Sequence, residues 1–499
     1  MKPLETLARS LGLGEECKQG AELLSRRRLL FGGSLLAALA SKTQAAPRPS
    51  TTTRLLVNRL TMGWTEAEQL LADTLGYHGY LEYHLNHTAI DDSAVNQMLA
   101  PYNYLTYMPF QLMDLPAWRA TNQLVEGTLL RAIHSKRQLY ARMVEFWTDH
   151  FNIDINKHKN PWIKLVDDRD VIRANALGTF PALLSASMHS ASMSVYLDNF
   201  TSVAGNPNEN YARELLELHT LGVHGGYIQQ DVVEVARCLT GWGVWEGIGD
   251  QLKWTFRYDP IKHDDGPKVV LGQQIPAGGG INDGLTVLNI LANHPSTAQF
   301  ISRKLCARFW AEDPSQTLVD AVAATYIATG GDIKSMLRTL FTTLDPATAG
   351  PKYKRPFHLF VSALRATGGV FQGDPISGGS ALRAELALNG HESFHWAPPD
   401  GYPDRFDFWV GSLLPRWNFA ASVTAGSIQG TTIDVDAFLG SASTAQQIAD
   451  RIDQAMFGGQ MPTAEKDAIV NYLLPDLPPL SRKREALALA ISSPAFQWY

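Results

Sequence analysis

The chain has 499 residues, of which 45% are apolar and 18% are charged, which is enough for one large domain or two to three smaller ones. Its net charge is −6 with the histidines neutral. Beyond residue 46, no window approaches the roughly 18 uncharged apolar residues of a membrane-spanning helix, so the composition excludes a transmembrane protein.

Residues 1–46 have the pattern of a signal peptide. Arg26, Arg27 and Arg28 precede an apolar run over 29–40, and Thr43 and Ala45 stand at the −3 and −1 positions for cleavage. The pattern resembles a twin-arginine signal, which exports folded proteins, and an ordinary secretory signal is the alternative. We therefore expect a periplasmic or secreted protein.

Cleavage there would leave 36 basic and 45 acidic residues, a net charge of about −9. Nucleic acid is an unsuitable partner for such a chain, because phosphate binding needs clustered lysine and arginine.

Residues 47–54 read as a polar linker, and helical patterns follow. Thr65 and Glu68 form a capping box that opens a helix to about Leu75, and a second helix covers 77–85. Residues 118–151 predict two helices that meet near His134 and Ser135. Further helices are predicted over about 162–176 and 179–189.

The densest stretch, 206–242, reads as helix, glycine turn and helix. Asn206 suits the cap position, Pro207 the first helical position, and Glu209 follows three residues after the cap. The first helix is predicted to end at about Leu221, and the second to cover about 230–239.

At 100° per residue, Asn210, Arg213, Glu214, Glu217 and Leu221 share one face of the first helix. One interpretation is a solvated face with an Arg213–Glu217 pair. The other is a polar stripe that faces a cleft and holds a metal, a ligand or its own members. His219 points well away from Glu217 at this spacing, so this helix alone does not offer a two-residue metal pair.

After Trp242 the pattern changes to a small β-hairpin insert near 250–275. Strands are predicted over 254–258 and 269–272, and His263 and Asp264 lie in the turn-forming segment between them. From 284 onward helices return, at about 284–293, 296–311, 315–328, 332–343, 355–366, 413–425, 443–456, 463–474 and 481–492. The fold class is therefore mainly α, with 55–499 as a single large multi-helix domain that carries the β insert.

Several segments of this sequence resemble the bacterial domain-of-unknown-function family 1800, a set of large exported proteins. They are the stretch from Asn206 to Trp242, FWTDHF (146–151), YLDN (196–199), KHDDGPKVVLG (262–272), RKLCARFW (303–310), TGGD (329–332), DGYPD (400–404), RWNFA (416–420) and SPAFQ (493–497). Members are often encoded beside proteins of another family, 1501, which resembles sulfatases. The resemblance implies export and an exported, sulfatase-like partner, but no particular reaction.

The candidate site residues fall inside these motifs. We expect Arg213, Glu214, Glu217 and Asp264 to supply acid–base groups. His150, His189, His219 and His263 are candidate ligands for a divalent metal, the one cofactor that these residue types suggest. For each histidine the alternative is a hydrogen-bonded core residue, and for Asp264 it is turn formation.

Two further patterns have alternative interpretations. Cys238 and Cys306 could pair in an oxidising compartment or remain buried thiols. Trp242, Trp245 and Trp254 could form a sugar-stacking platform or belong to the core around the insert.

Two functions fit this sequence. The first is an exported, metal- or carboxylate-dependent enzyme that acts on an envelope or extracellular substrate. The second is a non-catalytic binding or assembly partner of another exported protein, such as the sulfatase-like neighbour. We expect convergence of His150, His189, Glu214, Glu217 and His263 in one pocket if the first is right.

Overall fold

The computed structural model describes residues 52–247, 251–376 and 379–499. The predicted signal peptide and residues 47–51 of the predicted linker lie outside these residues, whereas residues 52–54, also predicted as linker, are helical. The described part is mainly helical with three small antiparallel sheets, which confirms the predicted fold class.

The first helices are α1 (Thr52–Leu60), α2 (Glu66–Leu85), α3 (Ser93–Leu99), α4 (Pro109–Leu112), α5 (Ala117–His134) and α6 (Gln138–His150). The sequence predicted α2, α5 and α6, but not α1, α3 and α4. Thr65 caps α2, since its hydroxyl accepts a hydrogen bond from the Glu68 amide at 3.2 Å. Gly76 interrupts α2 with a φ of 70°, at the boundary that the sequence predicted between two helices.

The middle of the chain contains two helices that change their pitch. The helices here are α7 (Asn160–Val166), α8 (Phe180–Met188), α9 (Ala191–Tyr196), α10 (Glu209–Glu214) and α11 (Gln229–Cys238). α7 continues as a π-helical segment over Asp167–Arg173, and α10 does so over Leu215–Thr220. A π turn holds one more residue than an α turn, so it rotates every later side chain about the helix axis.

The C-terminal part is again helical. Its helices are α12 (Ile281–Ala292), α13 (Pro295–Phe309), α14 (Gln316–Thr329), α15 (Ile333–Thr342), α16 (Pro356–Thr367), α17 (Ala381–Leu388), α18 (Phe406–Trp409), α19 (Leu413–Ala425), α20 (Val435–Leu439), α21 (Ala445–Ile452), α22 (Thr463–Leu473) and α23 (Leu480–Ser492). A π segment, Asp453–Phe457, extends α21. The sequence did not predict α17, α18 and α20, because none exceeds eight residues and so short a helix shows little periodicity.

Each sheet consists of two strands. β1 (Trp242–Val244) pairs with β2 (Phe256–Tyr258), β3 (Lys268–Val270) with β4 (Gln273–Ile275), and β5 (Val370–Phe371) with β6 (Thr431–Thr432). The two strands that the sequence predicted therefore belong to separate hairpins. Leu271 and Gly272, predicted as strand, form the turn of the second hairpin, because both have positive φ angles, 49° and 77°.

Two apolar clusters form most of the interior. The first contains Trp147 of α6 and Phe180 of α8. The second contains Phe360 of α16, which stacks on Phe419 of α19 with ring centroids 3.4 Å apart. None of the described helices has the length and apolar content needed to cross a membrane.

Candidate functional site

The helix that carries Glu214 and Glu217 begins later than predicted. Asn208, not Asn206, is its cap, and the Asn208 side chain accepts a hydrogen bond from the Asn210 amide at 2.9 Å. Asn206 instead forms a short bridge with Val203, where its amide lies 3.0 Å from the Val203 carbonyl. The prediction of Asn206 as the cap was wrong, because Asn208 provides an equivalent side-chain oxygen two residues later.

His219 lies within the π segment of this helix. The 100° spacing placed His219 away from the polar face, and the structure buries its side chain completely. Thr220 stabilises the wide turn, since its hydroxyl donates to the Leu215 carbonyl at 2.6 Å. π segments in helices are frequent at functional sites, which draws attention to the residues around this one.

The predicted polar face is half-buried. Arg213 lies 3.3 Å from Glu209 and 3.8 Å from Glu217, and it donates to Gln229 at 2.9 Å. Glu214 has no such ion pair among the described residues. Burial first, and then the charge of Glu217, raise the pKa of Glu214 above its ordinary value. The face thus combines a solvated ion pair with one carboxyl group that holds its proton more tightly.

His150, the last residue of α6, is buried beside His219. Its Nε2 lies 3.1 Å from the His219 carbonyl oxygen, and its Nδ1 lies 2.9 Å from Lys304 Nζ in α13. Burial, followed by the charge of Lys304, holds the pKa of His150 well below its ordinary value. The ring is therefore neutral, with Nε2–H donating to the carbonyl and Nδ1 accepting from the lysine.

The surroundings of Lys304 favour the neutral form of its amine. It is half-buried, and among the described residues no carboxylate lies within 4 Å of it. Burial lowers its pKa to about 8, although the charges of Asp149 and Asp400 oppose that shift. A desolvated lysine of this kind is partly deprotonated near neutral pH and can act as a base or a nucleophile.

Asp400 links Lys304 to Glu214. It is exposed in the irregular segment 396–404, where Trp396 Nε1 donates to its carboxylate at 2.8 Å. The charge of Asp400 raises the pKa of both Lys304 and Glu214.

The segment 396–404 lies directly on the end of α6. Asn152 donates to the carbonyls of Trp396 and Pro398 at 2.8 and 2.7 Å. A Cβ on Gly401 would lie only 2.0 Å from the Asp149 carbonyl oxygen, and Gly401 has a φ of 76°. Only glycine permits this approach, so the segment has a defined position above the site.

Beneath this segment lies a set of buried charges, which we call the charged junction: Glu145, Asp149, Arg308, Lys352, Arg355 and Asp404. Arg355 binds Asp149 at 2.6 Å and also binds Glu145, and Arg308 lies 3.2 Å from Glu145. Burial would raise the pKa of Glu145, but Arg355 and Arg308 hold it below its ordinary value.

The charged junction was not predicted. Arg308 lies in the motif RKLCARFW and Asp404 in DGYPD, so motif membership was an available signal. Their partners are far away in the sequence, and spacing could not bring them together.

The remaining candidates surround the β hairpins. Arg237 binds Asp264 at 2.8 Å and lowers the pKa of that carboxyl to about 2, so Asp264 is an ion-pair partner. His263 is buried between the Thr240 carbonyl, at 2.9 Å, and Asp283, at 3.2 Å. His189 packs against Trp242 and Phe256.

The predicted residues thus fall into two places. His150 and His219 lie together near Lys304, with ring centroids 6.2 Å apart, and Asp264, His263 and His189 lie at the hairpins. Across residues 52–247, 251–376 and 379–499, no three His, Cys, Asp or Glu side chains could hold a metal ion together. Cys238 and Cys306 are buried free thiols.

The aromatic residues near the site differ from those proposed as a platform. Trp242 and Trp254 are buried, and the Arg257 guanidinium covers Trp245 at 4.5 Å. The exposed rings belong to α18 instead, where Phe408 is 48% exposed and lies 5.7 Å from Trp396. Because Trp396 binds Asp400, these rings lie beside the Lys304 site.

A family model described as protein of unknown function (DUF1800) matches residues 55–498, which is nearly the whole chain. No curated protein and no solved structure matches the chain.

Proposed function

Because the chain belongs to the DUF1800 family of proteins of unknown function, we propose a function from its own residues: an exported enzyme with general acid–base chemistry at Glu214 and Lys304. The observation that carries the proposal is the Lys304 amine, which lies 2.9 Å from the buried His150 ring and has no carboxylate within 4 Å among the described residues; the charge of exposed Asp400 acts on this amine and on Glu214. Perturbed ionisable groups that share one location are typical of catalytic sites.

The two groups have complementary roles. Lys304 is the base, since its amine loses a proton near pH 8 and its hydrogen bond to neutral His150 fixes its position. Glu214 is the acid, because burial and the neighbouring Glu217 favour its protonated form. A group that takes a proton and a group that gives one are the minimum for hydrolysis or elimination.

Aromatic rings beside Asp400 favour a carbohydrate substrate. Phe408 is 48% exposed and presents an apolar face on which the C–H face of a sugar ring can stack, and the half-buried ring of Trp396 lies 5.7 Å from it. Asp400 can accept hydrogen bonds from hydroxyl groups. Export through the signal-like residues 1–46 would bring the enzyme to glycans of the envelope or the surroundings.

The experiment is a screen of envelope and extracellular glycans with the purified chain, with release of new reducing ends or unsaturated products as the readout. Lys304→Met and Glu214→Gln should each lower the rate at least about 100-fold, as expected when a general base or acid is lost. Lys136→Met, which removes an exposed lysine of similar size, is the matched control.

A substrate that the Lys304→Met and Glu214→Gln variants turn over at the wild-type rate would contradict the proposal. So would a glycan reaction that Lys136→Met abolishes and Lys304→Met leaves intact.

The second candidate function, a binding partner of a sulfatase-like exported protein, is favoured by the same exposed surface. Phe408 and Leu414, which are 48% and 62% exposed, are apolar residues of the kind that contact a protein partner. Phe408→Ser should abolish such a complex in a pull-down and leave the folded chain intact. Loss of the complex without any glycan activity would establish this second function.

A further inference from the structure

A cavity lies on another side of α6 from Lys304. Its lining on this helix comes from Ala141, Val144, Glu145, Thr148 and Asp149, which follow one another at helical spacing. The cavity has about 40 Å³ of space for the centres of water molecules. That is room for roughly three waters, or for an organic molecule of a few heavy atoms.

One wall of the cavity carries an arginine without a partner. Arg131 of α5 lines the cavity, and its Nη1 is fully buried without a hydrogen bond. Among the described residues its guanidinium has no carboxylate within 4 Å. Arg308 and Arg355 of the charged junction both have carboxylate partners, so Arg131 differs from them in this respect.

The charges around the cavity leave Arg131 uncompensated. Arg173 also lines the cavity, but it binds Asp168 at 2.6 Å. The next carboxylate that acts on Arg131, that of Asp92, already accepts hydrogen bonds from Ser135 and Lys136. Glu145 and Asp149 also line the cavity, but Arg355 of the charged junction binds both of them. Arg131 and Arg173 are thus left with the carboxylate of Asp168, whereas three cations balance three carboxylates in the charged junction.

Burial, and then the charge of Arg173, lower the pKa of Arg131 to about 9. A bound anion would oppose both effects, because it would replace lost water and screen the neighbouring cation.

Part of the lining is apolar. Met62, Phe357 and Phe394 belong to it, and Thr128 and Ser393 add hydroxyl groups to the lining. Thr128, Arg131, Thr148 and Arg173 are only half-buried, so the cavity reaches solvent between them. A ligand that fits has a single negative charge at one end and a short apolar body at the other.

We propose that this cavity binds a small monocarboxylate of the size of acetate or propionate, held by a two-point contact with the Arg131 guanidinium. A planar carboxylate matches the fork of a guanidinium, and the methyl or ethyl group lies against the phenylalanine wall. Gly127 makes room for this arginine, because a Cβ there would lie 3.3 Å from Arg131 Nη1. The site does not depend on the proposed function at Lys304.

The test is equilibrium dialysis of the folded chain with radiolabelled acetate, and then propionate, at constant ionic strength. We expect one saturable site per chain, with at least about tenfold weaker binding in Arg131→Met. Arg303→Met, which removes an exposed arginine, should bind like the wild type. Propionate should also raise the Tm of the wild type by a few degrees and leave that of Arg131→Met unchanged.

Arg131→Lys covers the case in which Arg131→Met does not fold. It keeps the charge and loses the fork, so binding should weaken. Absence of saturable binding up to about 10 mM, or equal binding by both Arg131 variants and the wild type, would overturn the proposal. Displacement of acetate by phosphate at lower concentration would also overturn it, since it would assign the site to inorganic oxyanions.

Discussion

Two sites that combine a buried histidine with a lysine, His263 with Lys268 and His150 with Lys304, differ by one carboxylate. At the hairpins, Asp283 lies 3.2 Å from His263 and 2.6 Å from Lys268, and all three side chains are buried. At the end of α6, Lys304 contacts His150 directly, with no carboxylate within 4 Å among the described residues. At the hairpins the charge of Lys268 is neutralised by Asp283, whereas at the end of α6 the charge of Lys304 has no carboxylate of the described part of the chain in contact to neutralise it.

The difference shows that residue type alone does not identify a reactive site. His263 and His150 were both candidates on the same grounds. Their surroundings separate them, because a compensated buried charge stabilises a fold and an uncompensated one can be compensated by a substrate.

The largest effect should come from removing the carboxylate that completes the hairpin site. Asp283→Asn leaves Lys268 buried without its ion-pair partner, and we expect a loss of about 3–5 kcal/mol in the free energy of unfolding. Urea denaturation measures it, with Asp265→Asn, at an exposed aspartate in the same region, as the control. A loss below about 1 kcal/mol would show that the two sites do not differ in this way.

The next largest effect on stability should come from His219, which is buried without a carboxylate partner in the part of the chain that the structure describes. Burial, and then the charge of Lys304, lower the pKa of His219 to about 3 from 6.5. Below pH 6.5 His219 binds a proton in the unfolded chain but not in the folded chain, so the free energy of unfolding decreases as the pH falls. His219→Phe should remove up to about 1.4 kcal/mol of this loss per pH unit, measured by denaturation between about pH 6.5 and 4.5.

His78→Asn, at an exposed histidine, is its control and should follow the wild-type curve. Parallel curves for His219→Phe and the wild type would mean that His219 is hydrated or protonated in the folded chain.

A smaller effect with the same sign is expected for Lys304 on the alkaline side. Its folded pKa is about 8 and its ordinary value is 10.5, so the unfolded chain holds the extra proton between these values. Wild-type stability should therefore rise with pH in this window relative to Lys304→Met, by about 1–2 kcal/mol in total. Denaturation of both proteins at about pH 7.5 and 9.5 measures it. A difference that stays constant would place a normal, fully charged lysine at this position.

The smallest effect should be at the Arg213–Glu217 pair. Both side chains are partly exposed, and the atoms are 3.8 Å apart, so Arg213→Met should change the free energy of unfolding by less than about 0.5 kcal/mol. A cost above about 2 kcal/mol in the same denaturation assay would show that the polar face is tightly packed and not solvated.

Local patterns predicted most of the helices, because caps and breaks are local. Thr65 and Gly76 are examples, since each acts through its own hydroxyl or its own backbone angle. The π segment that contains His219 was beyond such reasoning, because no spacing of apolar residues revealed it. The position of Arg355 was also beyond it, because its partners lie more than 200 residues away.

Of the candidate site, the sequence identified Glu214, Glu217 and His150 as members of motifs. It missed Lys304 and Asp400, although both lie in motifs, because a lysine in a helix and an aspartate in a turn are ordinary on a surface. Only the fold shows that Lys304 is desolvated and that Asp400 lies near it.

The charged junction also constrains the order in which the chain can fold. Arg355 joins Asp149 and Glu145 across 206 and 210 residues of sequence. During synthesis, α6 therefore emerges long before the cation that neutralises its carboxylates, and contacts of such high sequence separation form slowly. Until residue 355 has been made, Glu145 and Asp149 must stay hydrated, so the end of α6 and the segment above it can reach their final positions only late in folding.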